Sequence, residues 1–316
     1  MDKIKAFAPA TIANIGPGFD VLGLAITGLG DYVEAKKSEE PGIRITEITG
    51  LKNDIPLDAY KNTAGIASME VLKLLNVADN KGIELKLRKN LPSGSGLGSS
   101  AASAAAAAYA VNALFGSKLT KNDLIMPATI AEESVSGGFF ANNTAPSLLG
   151  GATLTRCRLP LNAIKLCGTM DELVVVVAAP EYRLLTKTSR EALPKTVPME
   201  SFVNNMANAC LMVSAFNNND VELFGRCVND EIVEPARAGL IPGFYDVKKS
   251  ALEAGAYGCS ISGAGPSVFA LTDREDAGRS IGKAMQEAFE KKGLRSIIYV
   301  SKVDNAGARE ANGGIP

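Results

Sequence analysis

Histidine is absent from this 316-residue chain. That absence removes Ser-His-Asp triads and the usual zinc sites, which need an imidazole. Cysteine is scarce: Cys157, Cys167, Cys210, Cys227 and Cys259 are scattered with no C-x-x-C pair, a pattern of reduced core thiols in a cytoplasmic protein. Neither charge sign is in excess. Lys and Arg number 33 against 34 Asp and Glu, a net charge of −1, so no basic surplus exists to collect the phosphates of nucleic acid or an anionic membrane. No run approaches the ~20 apolar residues of a membrane span. The opening residues, Met1-Asp2-Lys3-Ile4-Lys5, lack a hydrophobic signal core. With 46% hydrophobic and 21% charged residues the chain reads as globular, and its length suits two domains, each with its own core.

Glycine is concentrated in Pro92-Ser93-Gly94-Ser95-Gly96-Leu97-Gly98-Ser99-Ser100-Ala101-Ala102. Before it, residues 83–89 alternate apolar and charged side chains, the period of a half-buried strand. After it, residues 101–115 are alanine-rich without Pro or Gly, strong helix material. In such a loop Gly94, Gly96 and Gly98 can take positive φ and let the backbone approach a ligand. Ser99 and Ser100 stand where the first free N–H groups of the helix point outward. Those groups and the macrodipole favour an anion, most often a phosphate. The same pattern also occurs as a plain tight turn. It is not a Walker loop, because Ser99 rather than Lys follows Gly98, and no acidic residue follows at the Rossmann spacing.

Along the chain, strands are expected at 4–10, 31–36, 43–48, 152–156, 172–179, 257–262, 267–271 and 296–303. Helices are expected at 63–75, 186–193, 199–216, 221–227, 247–254 and 277–291. Residues 120–123 resemble a weak capping box opening a helix to Glu133, with Pro127 marking a kink or boundary. Thr186 is a candidate N-cap. The valines at 174–177 suit a central strand of a second domain beginning near Cys167. The element order suggests α+β, not an alternating Rossmann sheet. The Gly- and Ala-rich tail, 304–316, is expected to fray.

Three glycine-bearing loops, at 9–20, 92–102 and 260–267, stand between these elements, where function concentrates. Pro92-x3-Gly96-Leu97-Gly98-Ser99-Ser100-Ala101 and Ser262-Gly263-Ala264-Gly265-Pro266-Ser267 resemble signature motifs of the GHMP kinases, a superfamily of small-molecule kinases. The further wording Pro9-Ala10-Thr11-x-Ala13-Asn14-x-Gly16-x-Gly18-Phe19-Asp20, Asn143-x-Ala145-Pro146 with Gly150-Gly151, and Arg237-x-x-Leu240-Ile241-Pro242 is similar to the homoserine kinase branch. The resemblance covers about residues 4–303.

That resemblance implies an α+β fold of two domains, with the site between them. A ribosomal S5 domain 2-like N-terminal domain would span 1–167 and a ferredoxin-like C-terminal domain 168–303. It implies ATP held by Pro92 to Ala102 with Asn62, Gly263 and Gly265, and Mg²⁺ held by Ser100 and Glu132. It implies L-homoserine bound by Asn14, Asp20, Asn142, Thr186, Arg190 and Arg237, with Asn14, Asp20 and Asn143 at the reacting hydroxyl, and a homodimer. Read without it, Asn62 is equally a helix N-cap, Glu132 a solvated helix glutamate, and the arginines surface residues. Two arginines suit a carboxylate, which they grip with paired donors.

One departure bears on the acceptor. The family wording before Asn143 is His-Ala-Asp, and here it is Phe140-Ala141-Asn142. Asn142 carries no charge for a substrate ammonium and cannot act as a base. The acceptor is then homoserine held by Asp20 and the arginines, or another small hydroxylated acid. A nucleotide-binding protein without turnover is the rival reading, against which the intact Ser100 and Glu132 pair argues. Direct γ-phosphoryl transfer asks mainly for positioning and charge neutralisation, which a chain without histidine can supply.

Overall fold

The computed structural model describes residues 2–51, 55–78, 81–156 and 159–311. The first sheet is built from β1 (Lys3–Ala13), β2 (Leu22–Ser38), β3 (Gly42–Gly50) and β4 (Gly82–Lys89), with β11 (Arg309–Glu310) beyond β1. Its order is β11–β1–β2–β4–β3, and only the β3–β4 pair is parallel. β5 (Ala152–Arg156) pairs with the start of β2, and β6 (Asn162–Lys165) with β5. The second sheet, wholly antiparallel, has the order β10 (Ser296–Lys302), β7 (Val174–Pro180), β9 (Val268–Thr272), β8 (Gly258–Ile261).

Helices α1 (Thr63–Leu74), α2 (Ser99–Leu114) and α4 (Thr144–Leu149) pack on the first sheet, and α3 (Ile125–Ser136) packs against these helices. Ala101, Ala102 and residues 104–108 are fully buried, so α2 is enclosed on every side. A helix in that position needs small side chains all round, and its buried polar residues Ser103 and Asn112 are hydrogen-bonded. Between β7 and β10 run α5 (Thr186–Glu191), α6 (Met199–Asn217), α7 (Val221–Arg226), α8 (Val233–Ala238), α9 (Phe244–Glu253) and α10 (Glu275–Glu290). Alternate residues of β7 serve two cores. Val175 and Val177 meet Ile12, Leu24, Phe216 and Phe224, while Val174 and Val176 meet Phe244, Ile281 and Phe289. A β-branched run is what a strand buried on both faces requires, each such valine contributing about 1.5–3 kcal/mol. No helix of the described residues is long and apolar enough to cross a membrane.

Several expectations are corrected. Pro127 marks a boundary and not a kink: α3 starts at Ile125, two residues earlier, so Pro127 lies in the first turn, where N–H groups have no intrahelical acceptor. The Thr120–Asp123 capping box does form, with Asp123 Oδ2 accepting from Thr120 N at 2.7 Å, but it closes the turn before that helix. Thr186 is not an N-cap; Leu185 holds that place and Thr186 is the first helical residue. The tail does not fray over 304–311. Asp304 is buried and accepts from Gly307 N and Arg309, and β11 joins the sheet edge. Residues 312–316 of that expectation lie outside the described residues. Cys227 and Cys259 are core thiols, but Cys167 and Cys210 are exposed, on a loop and on the outer side of α6; Cys157 lies outside the described residues. β6, α4, α8 and β11 carried no expectation, and β2 extends well beyond 31–36.

Candidate active site

The glycine loop closes onto α2 through Gly98, the helix N-cap at φ 67°. The first helical bond is Ala102 N–H to Gly98 O at 2.8 Å, so the N–H groups of Ser99, Ser100 and Ala101 have no intrahelical acceptor. Glycine is required here for a second reason: a Cβ on Gly98 would collide with the Thr11 hydroxyl, and one on Gly96 with the carbonyls of Ser262 and Gly265. The three glycine loops are therefore in contact. Ser262 Oγ donates to Gly96 O at 2.7 Å, Ser267 N to Ser95 O at 3.1 Å and Thr11 N to Leu97 O at 3.2 Å. Leu97 and Ala102 turn their side chains into the core, while Pro92 O receives Ser95 Oγ at 2.8 Å.

Beneath the loop lies a buried ion pair that the sequence reading missed. Lys89, at the end of β4, donates to Asp31 of β2, to Ser103 Oγ at 2.7 Å and to Ser99 O at 2.8 Å. Asp31 also accepts from the N–H groups of Asn90 and Leu91 at 3.0 and 3.2 Å. The signal was present: Lys89 shares strand parity with Ile83, Leu85 and Leu87, all buried. An ammonium on the apolar face needs a partner.

The acceptor end is held together by amides. Asn14, in left-handed backbone at φ 72°, donates to Gly263 O at 2.9 Å. Its Oδ1 accepts from Asp20 N at 3.1 Å and from Asn142 Nδ2 at 3.0 Å. Asn143 Oδ1 accepts from Thr11 Oγ1 at 2.7 Å. Asp20 and Arg190 form a two-pronged ion pair at 2.9 and 3.0 Å, joining loop 9–20 to α5. The Arg190 guanidinium also lies 3.9 Å from the ring centroid of Phe140, a cation–π stack. Arg237, on α8, is 2% exposed and donates to two main-chain carbonyls, Ser189 O at 3.1 Å and Gly263 O at 3.0 Å. Burial, and then the neighbouring Arg190 charge, push its pKa down to about 10.

These groups line two cavities. The smaller, about 120 Å³, takes in Asn14, Asp20, Ser93, Gly94, Ser95, Gly96, Gly98, Ser99, Ser100, Glu132, Asn142, Asn143, Thr186, Arg190, Arg237, Gly263 and Gly265. The larger, about 380 Å³, is walled by Ile55, Pro56, Leu87 and Val135, with Lys61, Arg183 and Lys187 among its cations. Asn62 lines only this one, and there it is the N-cap of α1: its Oδ1 accepts from Ala64 N at 3.0 Å. Gly94, Ser100, Glu132 and Thr186 border both cavities. At that junction Ser100 Oγ donates to Glu132 Oε1 at 3.0 Å. Burial raises the Glu132 pKa, against the Ser100 hydrogen bond and the Lys89 charge. A hydroxyl and a carboxylate are the oxygen donors a hard divalent cation takes, with waters and phosphate oxygens completing its shell. A cation would also relieve the desolvated carboxylate, so the pair fits Mg²⁺. Among the described residues no group of three or more His, Cys, Asp or Glu could hold a metal by itself.

Known proteins agree with this architecture. The family model for the GHMP kinases N terminal domain matches residues 60–151 and that for the GHMP kinases C terminal matches residues 212–291. Homoserine kinase of Arabidopsis thaliana is 47% identical over 98% of this chain and 85% of its own length. Homoserine kinase of Chlorobium phaeobacteroides is 40% identical over 98% of this chain and 99% of its own. The crystal structure of homoserine kinase from Cytophaga hutchinsonii superposes with a TM-score of 0.93 at 45% identity, covering 98% of both chains. By fold, by the junction of its two cavities and by near-full-length similarity, this chain belongs to the homoserine kinase family of the GHMP kinases.

Proposed function

We propose that this chain transfers the γ-phosphoryl group of ATP to the side-chain hydroxyl of L-homoserine, giving O-phospho-L-homoserine and ADP. The observation that carries this reading is the meeting of two cavities at Ser100 and Glu132, an anion-favouring loop on one side and two guanidiniums on the other. The names of the near-full-length relatives support the choice of acceptor.

In this mechanism the larger cavity receives the nucleoside, with apolar walls from Ile55, Pro56, Leu87 and Val135. The free N–H groups at the start of α2 take the phosphates, in a loop whose shape is fixed by its bonds to Thr11, Ser262 and Ser267. Ser100 and Glu132 would hold Mg²⁺, which would supply charge neutralisation at the phosphates. Thr186, which borders both cavities, contacts the transferring group in this reading. Arg237 takes the acceptor carboxylate, and Asn143, its Oδ1 already engaged by Thr11, offers amide N–H groups to the reacting oxygens.

Among the described residues no strong base stands at the acceptor. Asn14, Asn142 and Asn143 are neutral amides, and Asp20 is committed to Arg190. That suits a loose transition state, in which the attacking hydroxyl loses its proton late. Catalysis then rests on alignment and on charge placed in advance. Coupled ADP release, measured with L-homoserine, L-serine, L-threonine, mevalonate, shikimate and no acceptor, tests the proposal. Saturable, homoserine-dependent turnover is expected, and its absence with ATP still bound would overturn it. We place the reaction in the cytoplasm and propose a homodimer; a monomer by light scattering at micromolar concentration would contradict the latter.

A further inference from the structure

We propose that the acceptor pocket recognises the carboxylate and the side-chain hydroxyl but discriminates weakly for the α-amino group, so that γ-hydroxy carboxylates without that group form a second substrate class. The proposal rests on the kinase reading above.

Four observations lead there. Among the described residues the charged side chains of the smaller cavity are Asp20, Glu132, Arg190 and Arg237, and Glu132 is turned to Ser100 at the phosphate end. The acceptor end therefore carries two guanidiniums against one carboxylate. Both oxygens of that carboxylate already accept from Arg190, whose guanidinium is also held on the Phe140 ring, so an ammonium can reach Asp20 only by displacing a stacked, two-pronged partner. Asn142, where the family wording has an aspartate, brings no charge: its Nδ2 donates to Asn14 Oδ1 at 3.0 Å, and its Oδ1 offers an ammonium only a neutral amide oxygen. Arg237, by contrast, is buried with only carbonyl dipoles as its hydrogen-bond acceptors. An incoming carboxylate meets a cation that forms no ion pair among the described residues and feels the Asp20 and Asp230 charges only at longer range, while an incoming ammonium meets no uncommitted anion among them. The depressed Arg237 pKa agrees with this imbalance.

The reaction is unchanged in kind. The γ-hydroxyl oxygen forms the new O–P bond, the bond from the γ-phosphorus to the bridging oxygen of ADP breaks, and ADP leaves with the electron pair. The hydroxyl proton goes to solvent, and ATP is the co-reactant. A hydrogen bond from an ammonium to a dedicated carboxylate would separate homoserine from its deamino analogue by roughly 10- to 150-fold. Without that carboxylate the ratio falls below tenfold.

The test compares kcat/KM for L-homoserine, 4-hydroxybutanoate and 2-amino-1,4-butanediol, which lacks the carboxylate, on the wild-type enzyme with saturating ATP and Mg²⁺. The expected result is 4-hydroxybutanoate within tenfold of homoserine and the aminodiol the poorest of the three. Asn142→Asp is expected to widen the homoserine preference at least tenfold. A 4-hydroxybutanoate value more than tenfold below homoserine, an aminodiol better than 4-hydroxybutanoate, or an Asn142→Asp ratio equal to wild type would overturn the inference. If Asn142→Asp does not fold, the wild-type ratios decide alone. Failure of homoserine itself, with 4-hydroxybutanoate active, would overturn the proposed function and leave the pocket reading standing. Silence with both would overturn the two together.

Discussion

Replacing Asp31 by Asn keeps the shape of the side chain and removes its charge. Asp31 is 0% and Lys89 3% exposed, so the ammonium would stay buried without its counter-charge. Stranding a buried ion in this way costs about 3–5 kcal/mol. The amide is also a poorer acceptor for Ser103 Oγ, at 2.8 Å, and for the Asn90 and Leu91 N–H groups. Adding Lys89→Met removes the stranded charge and is expected to return at least ~2 kcal/mol, since an apolar side chain there meets Leu87 and the start of α2. Urea unfolding followed by far-ultraviolet circular dichroism, extrapolated linearly to water, reads both numbers. Lys89 ties Ser99 O to β4, so the KM for ATP should rise in Asp31→Asn while that for the acceptor changes little. A loss under about 1 kcal/mol, or a double variant no more stable than Asp31→Asn, would refute the claim that this pair anchors the loop.

Gly98→Ala combines positive-φ strain of about 1–2 kcal/mol with a collision at Thr11; calorimetric ATP affinity should drop at least about tenfold, and an unchanged affinity would contradict the loop assignment. Glu132→Gln should lower kcat by about 10²–10³, read by ADP release. The raised carboxyl pKa of Glu132 favours its neutral form in the fold, so its contribution to stability is present below the unfolded carboxyl range and lost as pH rises through the folded value. Ligand-free Glu132→Gln should therefore melt higher than wild type at neutral pH and show a flatter pH profile, and an equal or steeper loss with rising pH would be a contrary result. Thiol labelling mapped by mass spectrometry should reach Cys167 and Cys210 first. Cys259, buried and with its thiol pKa pushed up by desolvation, should react only on unfolding.

The glycine loops were legible because their requirements are local. Gly96 and Gly98 have no room for a Cβ, and the free N–H groups of α2 follow from any helix start. The valine run of β7 and the alanines of α2 were equally legible, since burial on all sides favours long runs of one small or β-branched type, broken in α2 only by residues such as Ser103 and Asn112 that are hydrogen-bonded. Much of the rest depends on contacts distant in sequence. The stack of Arg190 on Phe140 joins residues fifty positions apart, and nothing local to either announces it. β2 was hidden because Gly28 and Gly30 interrupt its alternation and its pairing with β1 shifts register between Pro9 and Ala10. β11, two residues long, has no period to read. Lys89 was legible and missed: its parity with Ile83, Leu85 and Leu87 placed it inside.

The most direct measurement is the fate of the side-chain oxygen of L-homoserine labelled with ¹⁸O at its hydroxyl, incubated with the enzyme, ATP and Mg²⁺ and followed by ³¹P NMR. Direct transfer at the junction of Ser100 and Glu132 predicts a phosphate monoester that keeps the label in the bridging position, with one ADP formed per ester. Inorganic phosphate without ester, or an ester that has lost the label, would contradict the account.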